Sequence, residues 1–384
     1  MSFLISSNII SSLGFTTSEV FNSLQNGKIG IENIDDSKYY NQVFPASLID
    51  ANILEEKFSA LQKKYNSLTD YTKLEKMLIL SIEDALSQSM VDIKSSKTAI
   101  ILSTTKGNIN LLEKEEKNKF EPTRVLLWKL GDILTEFFGC PNKSIIISNA
   151  CISGVLALNT ASSYINSGQY DNIVVAGGDI ISKFVVSGFM SFLSLSAEAC
   201  KPFDKNRDGL SLGEAASSII LSKNKNSSGI NLCHKGGASA NDANHISGPS
   251  RTAEGSFIAI GKAMKEANVE AKDIDHISAH GTATPYNDEM ESIALERHGL
   301  EKAEVNSLKG FVGHTLGAAG IIETAILMEE MKNNFMIKSA GFNELGVGRN
   351  INILKSNTEK KLNNCLKMAS GFGGSNAALI ISKV

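Results

Sequence analysis

Three short apolar segments constrain the fold most: residues 98–102 (TAIIL), 144–148 (SIIIS) and 172–176 (NIVVA). Each is rich in β-branched residues and apolar on both faces, which predicts a strand covered by helices on both sides. Helical patterns lie between them, over residues 121–138 and 154–167. The second half repeats the layout. Residues 274–279 predict a strand and turn, residues 255–267 and 288–298 predict helices, and residues 365–369 with 377–382 predict a closing hairpin. This alternation defines a layered α/β fold. The halves are alike in layout, not in sequence, and the polar, turn-rich stretch 223–229 (KNKNSSG) is a weak boundary between them.

Composition excludes several classes. A formal net charge of -3 gives no reason to expect nucleic acid as a partner. The five cysteines are odd in number and include no CxxC pair, which argues against a disulfide framework or a zinc site. Free buried thiols in a reducing compartment account for at least four of them. The N-terminal MSFLISSNIISSLG lacks a basic region and a long apolar core, so it predicts a strand and not a signal peptide. No apolar run approaches the ~18 residues of a membrane span, and the expected location is cytoplasmic. The run 113–119 (EKEEKNK) reads as a solvated helix face or loop.

Four segments can carry chemistry. In SIIISNACISG, Cys151 sits where a strand gives way to a helix, so backbone N–H groups and the helix dipole would favour its thiolate. A small structural thiol in a strand-to-helix turn explains that segment equally well. In HISAHGTATPYNDEMES, His280 ends a strand before a glycine turn flanked by Thr282 and Thr284, whose hydroxyls suit an amide-bearing substrate arm. In VNSLKGFVGHTLGAAG, Lys309 and His314 stand five apart across a glycine turn. The plain alternative leaves Lys309 in solvent and His314 as a helix cap, while the GAAG run suits tight helix packing. In ASGFGGSN, glycines surround one large apolar residue, Phe372, more than a plain hairpin needs.

Taken in order, these segments resemble the β-ketoacyl-acyl-carrier-protein synthases of the thiolase fold, types I and II. The resemblance runs from NIISSLG at Asn8, through KPFDKNRDGLSLGEAASSIIL at Lys201, to GFGGSN at Gly371. It implies a layered α-β-α-β-α fold of two pseudo-repeated halves, with residues 1–225 carrying the nucleophile and residues 226–384 the remaining set. By resemblance, Cys151 is the acylated nucleophile, His280 and His314 the catalytic histidines, and Lys309 the catalytic-site lysine. Phe372, between Gly371 and Gly373, matches the gate and the oxyanion loop. Thr282 and Thr284 match pantetheine-binding threonines, and Glu291, Glu323 and Asp288 match supporting carboxylates. Glu291 and Glu323 are both expected near the lysine.

The implied reaction condenses a Cys-bound acyl group with the enolate from a malonyl thioester. The substrates ride on acyl carrier protein, and no cofactor or metal ion is called for. A homodimer is implied, with a heterodimer with a related chain as the alternative and residues 104–108 near the interface. A histidine at position 314 separates the chain from initiating synthases, which carry Asn there, and from thiolases, which use a second Cys. The other reading is a non-catalytic chain-length-factor-like subunit, against which the presence of Cys151 argues. Ile152 is larger than the usual residue beside the nucleophile, and Glu214-Ala215-Ala216 departs from the common acidic-then-glycine pattern. HGTATPYNDEMES looks like variants from pigment and polyene pathways. Arg207 and nearby lysines are candidates for carrier-protein docking.

Overall fold

The computed structural model describes residues 1–65, 67–114, 116, 119–226, 229–242 and 248–384. Residues 227 and 228 of the expected boundary, and 115, 117 and 118 of the charged run, lie outside the described residues.

Eleven strands join in one sheet. In chain order they are β1 (Ser2–Ile10), β2 (Thr98–Ser103), β3 (Ile145–Ile147), β4 (Asn172–Asp179), β5 (Ala215–Ser222), β6 (Leu232–Asn241), β7 (His276–Ser278), β8 (Glu304–Asn306), β9 (Asn352–Ile353), β10 (Asn364–Gly371) and β11 (Ser375–Lys383). Their spatial order is β9-β8-β7-β10-β11-β6-β1-β5-β4-β2-β3. Read outward from the centre, β1-β5-β4-β2-β3 and β6-β11-β10-β7-β8 have the same wiring. In each set the first three strands pair antiparallel, and the outer ones pair parallel. The two sets meet along a short seam, Ser2↔His234 to Leu4↔Leu232.

Besides helices over Thr17–Gln25 and Ala51–Lys64, the helices that position the site and its cores are α1 (Lys73–Ser87), α2 (Leu127–Phe138), α3 (Ser153–Asn166), α4 (Lys183–Ser191), α5 (Glu254–Ala267), α6 (Pro285–Arg297), α7 (Lys309–Val312) and α8 (Ala319–Asn333). Strand side chains alternate between two cores, as a pleated strand buried on both faces requires. Val174 and Ala176 of β4 pack outward with α1 and α2, while Ile173 and Val175 pack inward with α3 and α8. In the second half, Leu366 and Met368 of β10 pack outward with α5 and α6, while Cys365 and Ala369 pack inward. The layers are therefore helices, half-sheet, the α3/α8 pair, half-sheet and helices. This is the α-β-α-β-α arrangement expected from the resemblance.

Two expectations need correction. The segment 144–148 is a strand, but its isoleucines are only half-buried, because β3 is the edge of the sheet. The helix expected over residues 121–138 is split: a 3₁₀ turn covers Pro122–Val125 and α2 starts at Leu127. Between them Leu126 is extended, with φ -76° and ψ 132°. Apolar periodicity does not register a single extended residue.

The central helices touch backbone to backbone where they begin. A Cβ on Gly320 would lie 2.6 Å from the Val155 nitrogen, and one on Gly154 would lie 2.9 Å from the Ile321 nitrogen. The GAAG run thus does the packing its small residues suggested. A Gly320→Ala substitution is expected to destabilise the protein by about 1–3 kcal/mol, the usual cost of overpacking. Gly188→Ala in α4, where nothing lies within 4 Å of the added carbon, should be neutral or stabilising. Urea unfolding of the two variants checks both; equal stability would contradict the close crossing.

Candidate active site

Cys151 sits between β3 and α3 in a tight turn. Ala150 adopts φ 44°, a left-handed conformation costly for a residue with a Cβ. The Ser153 hydroxyl closes the turn, accepting from the Asn149 N–H at 2.7 Å and donating to the Ala150 carbonyl at 2.6 Å. The residue before α3 is Ile152, so no side chain caps the helix and its N-terminal field is open toward the cysteine.

His280 follows β7, and the loop after it is tied down by carboxylates from α6. Glu291 accepts from the N–H groups of His280 and Gly281, both at 2.7 Å. Asp288 accepts from Thr282 N at 3.0 Å and from Phe203 N at 2.7 Å. Glu291 therefore holds the loop's backbone, whereas Glu323 is the carboxylate that meets the lysine. Burial raises the Glu291 carboxyl to about 7, with Asp288 adding to the rise. Thr282 and Thr284 face each other with hydroxyls 2.8 Å apart on the wall of the cleft.

Lys309 opens α7 and is 1% exposed, so the solvent-exposed alternative fails. Its Nζ donates to Glu323 Oε1 at 2.6 Å and to the His280 carbonyl at 2.6 Å, and lies 3.2 Å from His280 Nδ1. His314 follows Gly313, whose φ of 69° turns the chain beside Leu212. The His314 N–H donates to the Ser211 carbonyl at 2.7 Å, and its Nδ1 accepts from Leu316 N at 3.2 Å.

These contacts fix the tautomers. Nδ1 of each imidazole faces a donor, so the proton of each neutral ring is on Nε2. Burial, then Lys309, holds both imidazoles well below their usual range. They are neutral donors at pH 7. Their ring centroids are 5.1 Å apart at 82°, and one nitrogen of each ring lies within 4.8 Å of Cys151 Sγ.

A cleft of about 430 Å³ opens onto this group. Gly371 packs so close to the nucleophile that a Cβ there would lie 3.0 Å from Cys151 N. Phe372 is 38% exposed at the cleft and packs on Phe189 and Phe192, with centroids 5.9 and 5.3 Å away. Gly373 and Gly374 complete the turn at φ 83° and 73°.

The structure also adds residues that the motifs did not single out. Asp179, closing β4, accepts from Thr104 Oγ1 and Thr105 N, both at 2.9 Å, and from Gly317 N at 2.7 Å. It ties the loop after β2 to the segment that carries His314. Lys367 of β10 lies 2.7 Å from Glu323 Oε2. Both break an otherwise apolar buried strand, which is the signal that exposes them. Arg207, a docking candidate, is half-buried and donates to the carbonyls of Asp204 and Gly346.

Two repeated halves wired this way, with the site where their central helices begin, define a thiolase-fold condensing enzyme. The profile for "Beta-ketoacyl synthase, N-terminal domain" matches residues 5–227, and that for "Beta-ketoacyl synthase, C-terminal domain" matches residues 233–343. The chain belongs to the beta-ketoacyl synthase family. It is 27% identical to a putative mitochondrial 3-oxoacyl-[acyl-carrier-protein] synthase of Schizosaccharomyces pombe, over 97% of both chains. A beta-ketoacyl synthase from Burkholderia phymatum superposes with TM-score 0.88 at 21% identity, covering 100% of this chain and 99% of that one. A ketosynthase solved with its chain length factor from Xenorhabdus doucetiae gives TM-score 0.86 at 22% identity, covering 100% and 98%. The enzyme class is 3-oxoacyl-[acyl-carrier-protein] synthase, and the reaction is decarboxylative condensation.

Burial pushes the Cys151 thiol up to about 11, against the pull of Lys106 and Lys309. The helix N-terminus expected to produce a thiolate therefore works against desolvation. A raised thiol pKa keeps the thiolate fraction small and growing with pH. Alkylation of Cys151 by iodoacetamide, followed by peptide mass spectrometry, should rise steadily past the ~8.5 of a free thiol. A plateau below pH 8 would mean that the helix field outweighs burial.

Proposed function

We propose that this chain is an elongating synthase in which Cys151 carries the acyl group while His280 and His314 generate the carbon nucleophile. The observation behind it is the convergence of one thiol and two neutral imidazoles, backed by the Lys309–Glu323 pair. In the first step Cys151 Sγ attacks an acyl thioester and releases the carrier thiol. The N–H groups of Cys151 and Phe372 would hold the tetrahedral oxyanion. In the second step a malonyl thioester loses carbon dioxide, and the enolate oxygen takes hydrogen bonds from the two Nε2–H groups. The enolate carbon then attacks the acyl carbonyl, and the Cys151 thiolate leaves. The product is a 3-oxoacyl thioester.

Thr282 and Thr284 lie on the cleft wall, where a pantetheine arm would pass. Phe372 would swing aside on its glycines to admit the acyl chain. Acyl carrier protein is the proposed partner, its phosphopantetheine carries the substrates, and the proposed steps use no cofactor or metal ion. The pathway is fatty acid or polyene/polyketide-type biosynthesis.

We also propose assembly through the edge strand β3, as a homodimer or with a related chain, near residues 104–108. Trp128 and Leu126 are exposed apolar residues on the neighbouring α2 and its approach. One structural neighbour is a ketosynthase paired with a chain length factor. In such a pair, Cys151 makes this chain the catalytic member. Among the described residues no helix is long and apolar enough to cross a membrane, and the five free buried cysteines fit a cytoplasmic location.

Incubation with acyl and malonyl carrier protein should yield 3-oxoacyl product; no product and no acyl-Cys151 would refute the proposal. The two steps use different residues, so they should separate. Cys151→Ala should form no acyl-enzyme yet still release carbon dioxide from malonyl carrier protein. His280→Ala and His314→Ala should acylate normally while condensation falls about 100- to 1000-fold, the usual loss for one oxyanion donor. Intact-protein mass spectrometry and carbon dioxide release give the two readouts.

A further inference from the structure

Lys367 stands in β10 between Leu366 and Met368, both of which pack in the outer core. Alternation turns it the other way, with Cys365 and Ala369, toward α8. It is 0% exposed. Its Nζ lies 2.7 Å from Glu323 Oε2 and donates to the carbonyls of Ser278 at 3.1 Å and Ala279 at 3.0 Å. Those two residues immediately precede His280. Lys309 approaches the same strand end from the other side, reaching Glu323 Oε1, the His280 carbonyl and His280 Nδ1. Three successive carbonyls are thus held by two buried cations that share one carboxylate.

We propose that Lys367 is a positioning residue for the condensation: clamped on Glu323 and on the carbonyls that end β7, it fixes the His280 ring where the enolate oxygen forms. An uncharged apolar residue would satisfy packing at this position, as Cys365 and Ala369 do on the same face. A buried cation is costly unless its partners are in place, and here every partner is part of the frame around His280. Lys367 does not line the cleft, so it acts through His280 and Glu323 and not on substrate. The proposal rests on the assignment of His280 to decarboxylation.

The charge has a separate effect. The titratable groups around His280 are Cys151, His314, Lys309, Lys367, Glu291, Asp288 and, behind the lysines, Glu323. Lys367 contributes to holding both imidazoles neutral. Removing a nearby cation makes an imidazolium easier to form, so the histidine pKa rises. The acid limb of decarboxylation, which needs the neutral ring, then moves to higher pH.

The test uses full-length Lys367→Met and Lys367→Gln. Acylation of Cys151 and carbon dioxide release from malonyl carrier protein are measured across pH 5.5–8.5. The proposal expects kcat for decarboxylation to fall roughly tenfold or more in Lys367→Met, with KM for malonyl carrier protein and Cys151 acylation unchanged. Its acid limb moves to higher pH. Glutamine still donates to the two carbonyls, so Lys367→Gln recovers part of kcat but keeps the displaced limb. Either folded variant with wild-type kcat and an unmoved limb overturns the proposal. So does an equal fall in acylation and decarboxylation, which would make Lys367 a plain support of the fold. If wild-type enzyme formed no acyl-Cys151, the proposed function would fail instead, so the two failures are distinguishable.

Discussion

The site depends on the crossing of α3 and α8. Each helix follows the third strand of its half, and the two halves share one wiring. The helices can begin side by side only because Gly154 and Gly320 leave backbone against backbone. Cys151 lies two residues before the start of one helix, and His314 five residues before the start of the other. A side chain wedged into the crossing would part the helices and, with them, the thiol from its histidine. The glycines act through the space they leave open; their torsional freedom is secondary, since both are helical.

Around that crossing the electrostatics are arranged to keep imidazoles neutral. Desolvation is the main cause, and Lys309 reinforces it. Burial alone would leave each tautomer undecided. The Lys309 ammonium at His280 Nδ1 and the Leu316 N–H at His314 Nδ1 decide it, leaving the proton of each ring on Nε2. A protonated pair would carry two more charges into a site that already holds two buried ammonium groups. A pair with free Nε2 lone pairs would repel an enolate oxygen.

Much of this was legible in the sequence. Short apolar runs marked β2, β3 and β4, and Cys151, His280, Lys309 and His314 came from motifs at the ends of strands and helices. The structure gathers those four residues, but local pattern could not say whether Lys309 was buried or solvated, or whether Cys151 was more than a packed thiol. That depends on contacts such as Lys309 with Glu323, which join separate elements. Edges are also invisible locally: SIIIS reads the same in the middle of a sheet as on its rim. Lys367 and Asp179 were missed because they belong to no turn motif. Their signal was compositional, one charged residue in a strand buried on both faces. The charge of Arg207 suggested a surface role, and local pattern did not show that its guanidinium also holds the carbonyls of Asp204 and Gly346.

The duplication also divides the labour. The first half contributes the thiol and the turn, strained at Ala150, that presents it. The second half contributes both histidines, the lysines and the loop bearing Phe372. In the proposed mechanism, acyl capture and enolate formation ask for the same sign of field. A thiolate is favoured by positive charge, which also suppresses imidazolium and so preserves the neutral donors. One buried cluster, Lys309–Glu323–Lys367, can therefore serve both steps while it packs against His280. Lys309 touches His280 directly and acts on the thiol through its field. Desolvation raises the Cys151 thiol more than the Lys106 and Lys309 fields lower it. In the proposed mechanism, thiolate formation is therefore best coupled to substrate entry, when a thioester carbonyl next to the α3 N-terminus can take up the charge as it leaves sulfur.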